Sequence, residues 1–203
     1  MKKKHLTGLS IALAVVALSG CSPASDAAPP TGEALVAELA AQAKESSWDS
    51  QYEILRDGEV TVAEHDAAFR KMTDCMLESG ISVSNPAINP ADGLTYLYSI
   101  DGPGLDEEFF LAEQAACLES EWNLVDNGFL ATRQPRMEPA LMDAARACLI
   151  AQGYEISDNT RAFRDLAGDP DADDGAQRDA AGVCVSEQAH ALYPELDQIS
   201  VTM

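Results

Sequence analysis

Apolar residues recur along most of this chain at intervals of three and four, the spacing of a buried helix face. Glu33 to Lys44 (EALVAELAAQAK) combines that spacing with strong helix formers. Trp48 to Arg56 predicts a second, shorter helix with Trp48, Tyr52 and Leu55 along one face. Asp57-Gly58 is a turn signal that stops it. A longer helix follows in VTVAEHDAAFRKMTDCMLESG. Thr61 and Glu64 form its T-x-x-E capping box, Phe69, Met72, Cys75 and Met76 line its buried face, and Gly80 supplies the C-terminal stop. After Gly80 the period falls to two. ISVS and LTYLYSI alternate as strands on either side of NPAINPADG and predict a small hairpin or ribbon. Helical spacing resumes from Leu105 to Asn123, where Phe110, Gln114, Cys117 and Glu121 share one face and Leu111, Ala115, Leu118 and Trp122 form a more apolar one. Pro139 to Gln152 and Ala176 to Leu192 predict two further helices.

Part of this pattern occurs twice. CMLESGISVSN from Cys75 aligns with CLIAQGYEISD from Cys148, matching Gly80 with Gly153, Val83 with Ile156 and Ser84 with Ser157. Downstream, AEQAACLESEW around Cys117 aligns with RDAAGVCVSEQA around Cys184. The separations are similar, 42 residues from Cys75 to Cys117 and 36 from Cys148 to Cys184. With Cys21 set aside for the N-terminal signal, the other four cysteines allow three pairings, and two copies of one unit select Cys75 with Cys117 and Cys148 with Cys184. Loops of that size stabilise a fold by about 3 to 4 kcal/mol each in the chain-entropy view. The rival use of these cysteines, in metal or redox chemistry, lacks a CxxC and would need them grouped rather than placed singly in apolar helices. The expected fold class is mainly α (α+β): a disulfide-braced helical domain of two pseudo-repeats, about 62–130 and 137–193, with a small β-hairpin or ribbon.

The first residues follow a different logic. Three lysines, an apolar run from Leu6 to Leu18 and small residues before Cys21 are the three regions of a secretory signal. The run is shorter than the roughly 20 residues that span a bilayer. Its end, Leu18-Ser19-Gly20-Cys21, resembles the bacterial lipobox, which implies cleavage before Cys21 and a lipid thioether on its sulfur. Two or three acyl chains would hold such a protein stably at a membrane, where one holds only marginally. The expected organisation is a signal peptide over 1–20, a lipidated Cys21 with a Pro-rich flexible linker to residue 32, and a single globular domain over 33–203. The corresponding location is the outer face of the cytoplasmic membrane.

Charge narrows the partners. The chain carries 13 basic and 34 acidic residues, and loss of Lys2, Lys3 and Lys4 with the signal leaves 10 against 34, a formal charge of −24. Such a field repels phosphate backbones and anionic headgroups, so nucleic acid is excluded as a partner and the lipid alone should touch the membrane. An envelope protein or a cationic partner is compatible with it.

Candidate chemistry is sparse. GDPDADDGAQRDA resembles the start of a calcium loop, with Asp169, Asp171, Asp173 and Asp174 ahead of a glycine. Its glycine comes one residue late, and Ala180 stands where a bidentate carboxylate is needed. The Asp57 to Glu64 stretch resembles the back half of such a loop, yet Leu55 falls on a ligand position and the capping box already explains Thr61 and Glu64. After the signal only His65 and His190 remain, without H-E-x-x-H, G-x-S-x-G or a glycine-rich phosphate loop. Tyr96 and Tyr98 alternate onto one strand face, where they form either a platform for a sugar or peptide or part of the packed sheet.

The run ILRDGEVTVAEHDAAFRKMTDCMLESG behind a lipobox is similar to uncharacterised actinobacterial (Gram-positive) secreted lipoproteins with a four-cysteine helical domain. The similarity covers residues 46–85 and the cysteine pattern, and implies localisation and fold without assigning a site. The expected function is a membrane-anchored binding or protein-interaction module, with no catalytic residue and no cofactor. The alternatives are a small envelope hydrolase using Asp/Glu acid-base pairs and a purely structural envelope protein.

Overall fold

The computed structural model describes residues 32–168, 175–196 and 199. Cys21 and Asp169, Asp171, Asp173 and Asp174 lie outside the described residues, as do the signal and most of the linker. The chain is mainly helical: α1 (Glu33–Glu45), α2 (Asp49–Leu55), α3 (Val62–Glu78), β1 (Ser82–Ile88), β2 (Tyr96–Asp101), α4 (Glu107–Glu121), α5 (Asn123–Thr132), α6 (Pro139–Ala151), α7 (Phe163–Leu166) and α8 (Gly175–Leu192). No helix among the described residues is long and apolar enough to cross a membrane.

The repeat seen in the sequence is a repeat of local structure. At the end of α3, Gly80 takes φ 80° and donates to the Leu77 carbonyl at 3.0 Å, while Ile81 donates to Met76 at 2.8 Å. At the end of α6, Gly153 takes φ 94° and donates to Ile150 at 3.0 Å, while Tyr154 donates to Leu149 at 3.1 Å. Both are Schellman ends, which require a left-handed residue and therefore favour glycine at both places. Each helix carries its cysteine one turn earlier. Cys75 is bonded to Cys117, tying α3 to α4, and Cys148 to Cys184, tying α6 to α8. This is the pairing the repeat selects.

Two apolar cores accompany the two bridges. In the first, Val36, Leu55, Met72, Met76, Val125 and Phe129 are buried among α1, α2, α3 and α5. The second holds Leu141, Ala145, Leu149, Leu166 and Val185 between α6, α7 and α8. The start of α3 is fixed as its sequence predicts: the Glu64 amide donates to the Thr61 hydroxyl at 3.2 Å, and the Thr61 amide donates to the Glu64 carboxylate at 2.9 Å.

Two expectations change, and one left open is settled. The helix expected to run to Asn123 breaks at Trp122, whose φ of −128° is not helical, and a separate helix, α5, follows with Trp122 buried at the joint. The two faces of α4 share the contact with the core: Cys117 is its buried residue and Phe110 and Leu118 pack against the first core, whereas Leu111 on the more apolar face is 54% exposed. The disulfide to α3 fixes Cys117 on the inward side. Finally, β1 runs on through Asn85-Pro86-Ala87-Ile88, residues expected in the connection. A bulge between Ser84 and Ala87, with Asn85 at φ 53°, removes Pro86 from the ladder that it cannot join as a donor.

Candidate functional site

The polar and aromatic residues singled out in the sequence are mostly committed to packing. His65 is buried, with its Nε2 2.8 Å from Asp126 Oδ1 and its ring stacked on Phe129 at a centroid distance of 4.0 Å. Trp122 and Tyr96 close the rest of the ring's surroundings. Exposed His190 lies on α8, so the two histidines are not brought together. Tyr96 stacks on Phe69 at 3.9 Å and Tyr98 meets the same ring edge-on at 5.4 Å, so the pair is one half-buried sheet face and not an open platform. The Tyr96 hydroxyl donates to Asp66 at 2.6 Å; burial, with that carboxylate, pushes its pKa up to about 12. Among the described residues no group of three or more His, Cys, Asp or Glu could hold a metal ion.

A cavity forms elsewhere, where the hairpin loop meets the second unit. The loop Asn89-Pro90-Ala91-Asp92-Gly93 is held rigid by its own side chains. Asp92 Oδ1 accepts from the Leu94 and Thr95 backbone amides at 2.7 and 2.9 Å, and its Oδ2 accepts from the Thr95 hydroxyl at 2.7 Å and from Asn89 Nδ2 at 3.0 Å. Asn89 Oδ1 accepts from the Ala91 amide at 3.0 Å. Four bonds to one nearly buried carboxylate satisfy its oxygens and fix the loop before anything docks on it.

The connection from α5 to α6 then runs past this loop as extended backbone. The Arg136 amide donates to the Asp92 carbonyl at 2.7 Å and the Glu138 amide to Pro90 at 2.8 Å, while Met137 between them donates the other way, to the Arg161 carbonyl at 2.8 Å. This alternation is that of a strand, and it joins the hairpin loop on one side to the segment before α7 on the other. Gly93 permits the approach: with φ 67°, a Cβ there would sit 2.7 Å from the Arg136 carbonyl oxygen. Ala91, from the first unit's loop, is buried in the second core.

The resulting cleft has a volume of about 690 Å³ and mostly apolar walls, among them Ile88, Pro90, Met137 and Met142. Its polar groups include Arg136 and Arg161, with Glu138, Asp143, Tyr193 and Glu195. Glu138 caps α6, accepting from the Ala140 and Leu141 amides at 2.8 and 3.2 Å and from the Tyr193 hydroxyl at 2.5 Å. The Tyr193 hydrogen bond, with the two amides, holds its pKa below the ordinary carboxylate value. That is the direction opposite to what a general acid needs. Burial and Glu138 push Tyr193 up to about 12, so it remains a donor. A second cavity, about 470 Å³ beside Gly32 and Gly58, is lined by Arg133, which already donates to the Val60 carbonyl at 3.0 Å and pairs with Glu59 at 3.7 Å.

None of the cleft's polar residues is a candidate in the sequence. Glu138 had a signal, a carboxylate just before a proline at a helix start. Arg136 and Arg161 are 25 positions apart and belong to no motif; only the scarcity of basic residues marks them. No protein-family model, curated protein or solved structure matches the chain.

Proposed function

We propose that the protein is a lipid-anchored extracytoplasmic binding module whose ligand site is the cleft between the hairpin loop and the second helical unit. The cleft is the observation that carries this reading. Its volume falls in the range of small-ligand sites, roughly 300 to 1,000 Å³, and such sites combine apolar walls with a few placed polar groups. The backbone bonds of Arg136, Met137 and Glu138 preform it, so binding would not have to order it. Lipid on Cys21 and the linker to residue 32 would tether the module to the outer face of the cytoplasmic membrane. Two disulfides fit an oxidising compartment. An envelope protein or cationic partner would be a second interaction, drawn by the acidic surface.

A photo-reactive residue in place of Ile88, on the cleft wall, tests the site in intact cells. It is expected to capture a defined species in the membrane fraction. The same residue at Leu77, exposed on α3 and outside the cleft, should capture none. Equal capture from both positions, or none from Ile88, overturns the cleft as the site. Cys21→Ser should move the protein to the soluble fraction, and retention in membranes overturns the anchor.

A further inference from the structure

We infer that the cleft takes the carboxyl-terminal end of a short apolar peptide, its terminal carboxylate received by Arg136 and Arg161; the inference rests on the cleft being the ligand site. The two arginines stand on adjacent backbone, since the hydrogen bond from Met137 to the Arg161 carbonyl spans 2.8 Å, and both line the cavity. Among the described residues neither guanidinium has an ion-pair or hydrogen-bond partner. Other arginines do: Arg133 is held by Val60 and Glu59, and Arg146 pairs with Asp158 at 3.1 Å. Glu138, the acid closest in sequence to Arg136, is turned to Tyr193 and to the amides of α6. In a chain this acidic, two cations without a protein partner on the lining of one cleft, the third acid of which is already committed to Tyr193 and the α6 amides, are the groups there that an anion can meet. The guanidinium fork matches a carboxylate with two parallel hydrogen bonds.

The rest of the lining selects a peptide over another apolar acid. Asp143 and Glu195 place two further carboxylates at the cleft. Peptide N–H groups or a terminal ammonium would use them as acceptors, whereas an alkyl chain offers them no donor. Met137 and Met142 suit aliphatic side chains, because an unbranched thioether adapts its shape. The volume accommodates a peptide of roughly three residues.

Isothermal titration of the full-length protein with trileucine, trileucine amide and decanoate tests this. Trileucine is expected to bind, and amidation of its carboxyl terminus to weaken binding by about tenfold or more. The double variant Arg136→Gln/Arg161→Gln should weaken trileucine to the same extent and leave the amide unchanged, which a general folding defect would not do. Equal affinity for acid and amide overturns the carboxylate assignment while the cleft remains the site. Tighter binding of decanoate than of trileucine overturns the peptide. If none of the three binds while Ile88 still captures its cellular ligand, the inference fails alone; if that capture fails too, the cleft reading falls with it.

Discussion

Gln51 shows how much one polar side chain can organise. It is fully buried in α2; its Nε2 donates to the Glu119 carbonyl at 2.7 Å, and its Oε1 accepts from the Leu124 and Val125 amides at 2.9 and 3.3 Å. It thus joins the last turn of α4 to the first turn of α5, across the break at Trp122, and serves groups that helix ends leave unpaired. Gln51→Leu keeps the volume and orphans all three, so it should cost about 2 to 4 kcal/mol in urea unfolding. A loss under about 0.5 kcal/mol would show that solvent reaches the joint. Glu138 gives a second test. Its folded pKa lies below the unfolded value, so its contribution is present above the unfolded pKa and lost as pH falls through the folded one. Tyr193→Phe removes the largest cause and should raise the Glu138 pKa in an NMR carboxyl titration; an unchanged value would mean that the two helix amides set it. Tyr193 behaves in the opposite sense. Its raised pKa keeps its contribution intact below the ordinary value of 10.0 and loses it as pH rises through about 12.

At the scale of elements, the legible parts are those whose causes are local. The capping box at Thr61, the glycine stops at Gly80 and Gly153 and the helical spacing of α1, α3, α6 and α8 are set by neighbouring residues, and each could be placed from the sequence. The break between α4 and α5 is not legible, because the side chain that bridges it, Gln51, lies more than 60 residues away. The strand through Pro86 was hidden by a bulge that only pairing with Tyr96 and Leu97 reveals. The disulfides join elements whose cores are distinct, which makes their effects separable. Replacing Cys148 and Cys184 by serine should cost about 4 kcal/mol in the chain-entropy view. Amide exchange should accelerate in α6 and α8 while α3 stays protected. Uniform loss of protection through both cores would show that they unfold as one.

The molecule as a whole contains something neither unit has alone. The cleft exists because a loop of the first unit, made rigid by Asp92 and Asn89, lends Ala91 to the second core and accepts the connecting backbone at Asp92 and Pro90. None of those contacts follows a sequence period, which is why the residues that line the cleft are ones the sequence left unmarked. The charge and the lipobox carry the proposed place and tether; the cleft carries the proposed ligand site. Backbone amide NMR of the full-length protein during titration with trileucine tests this account most directly. The account predicts that the shifted amides cluster at the cleft, on Ile88, Arg136, Met137, Thr160, Arg161 and Tyr193. Shifts confined to α1 through α4, or none at saturating peptide, would contradict it.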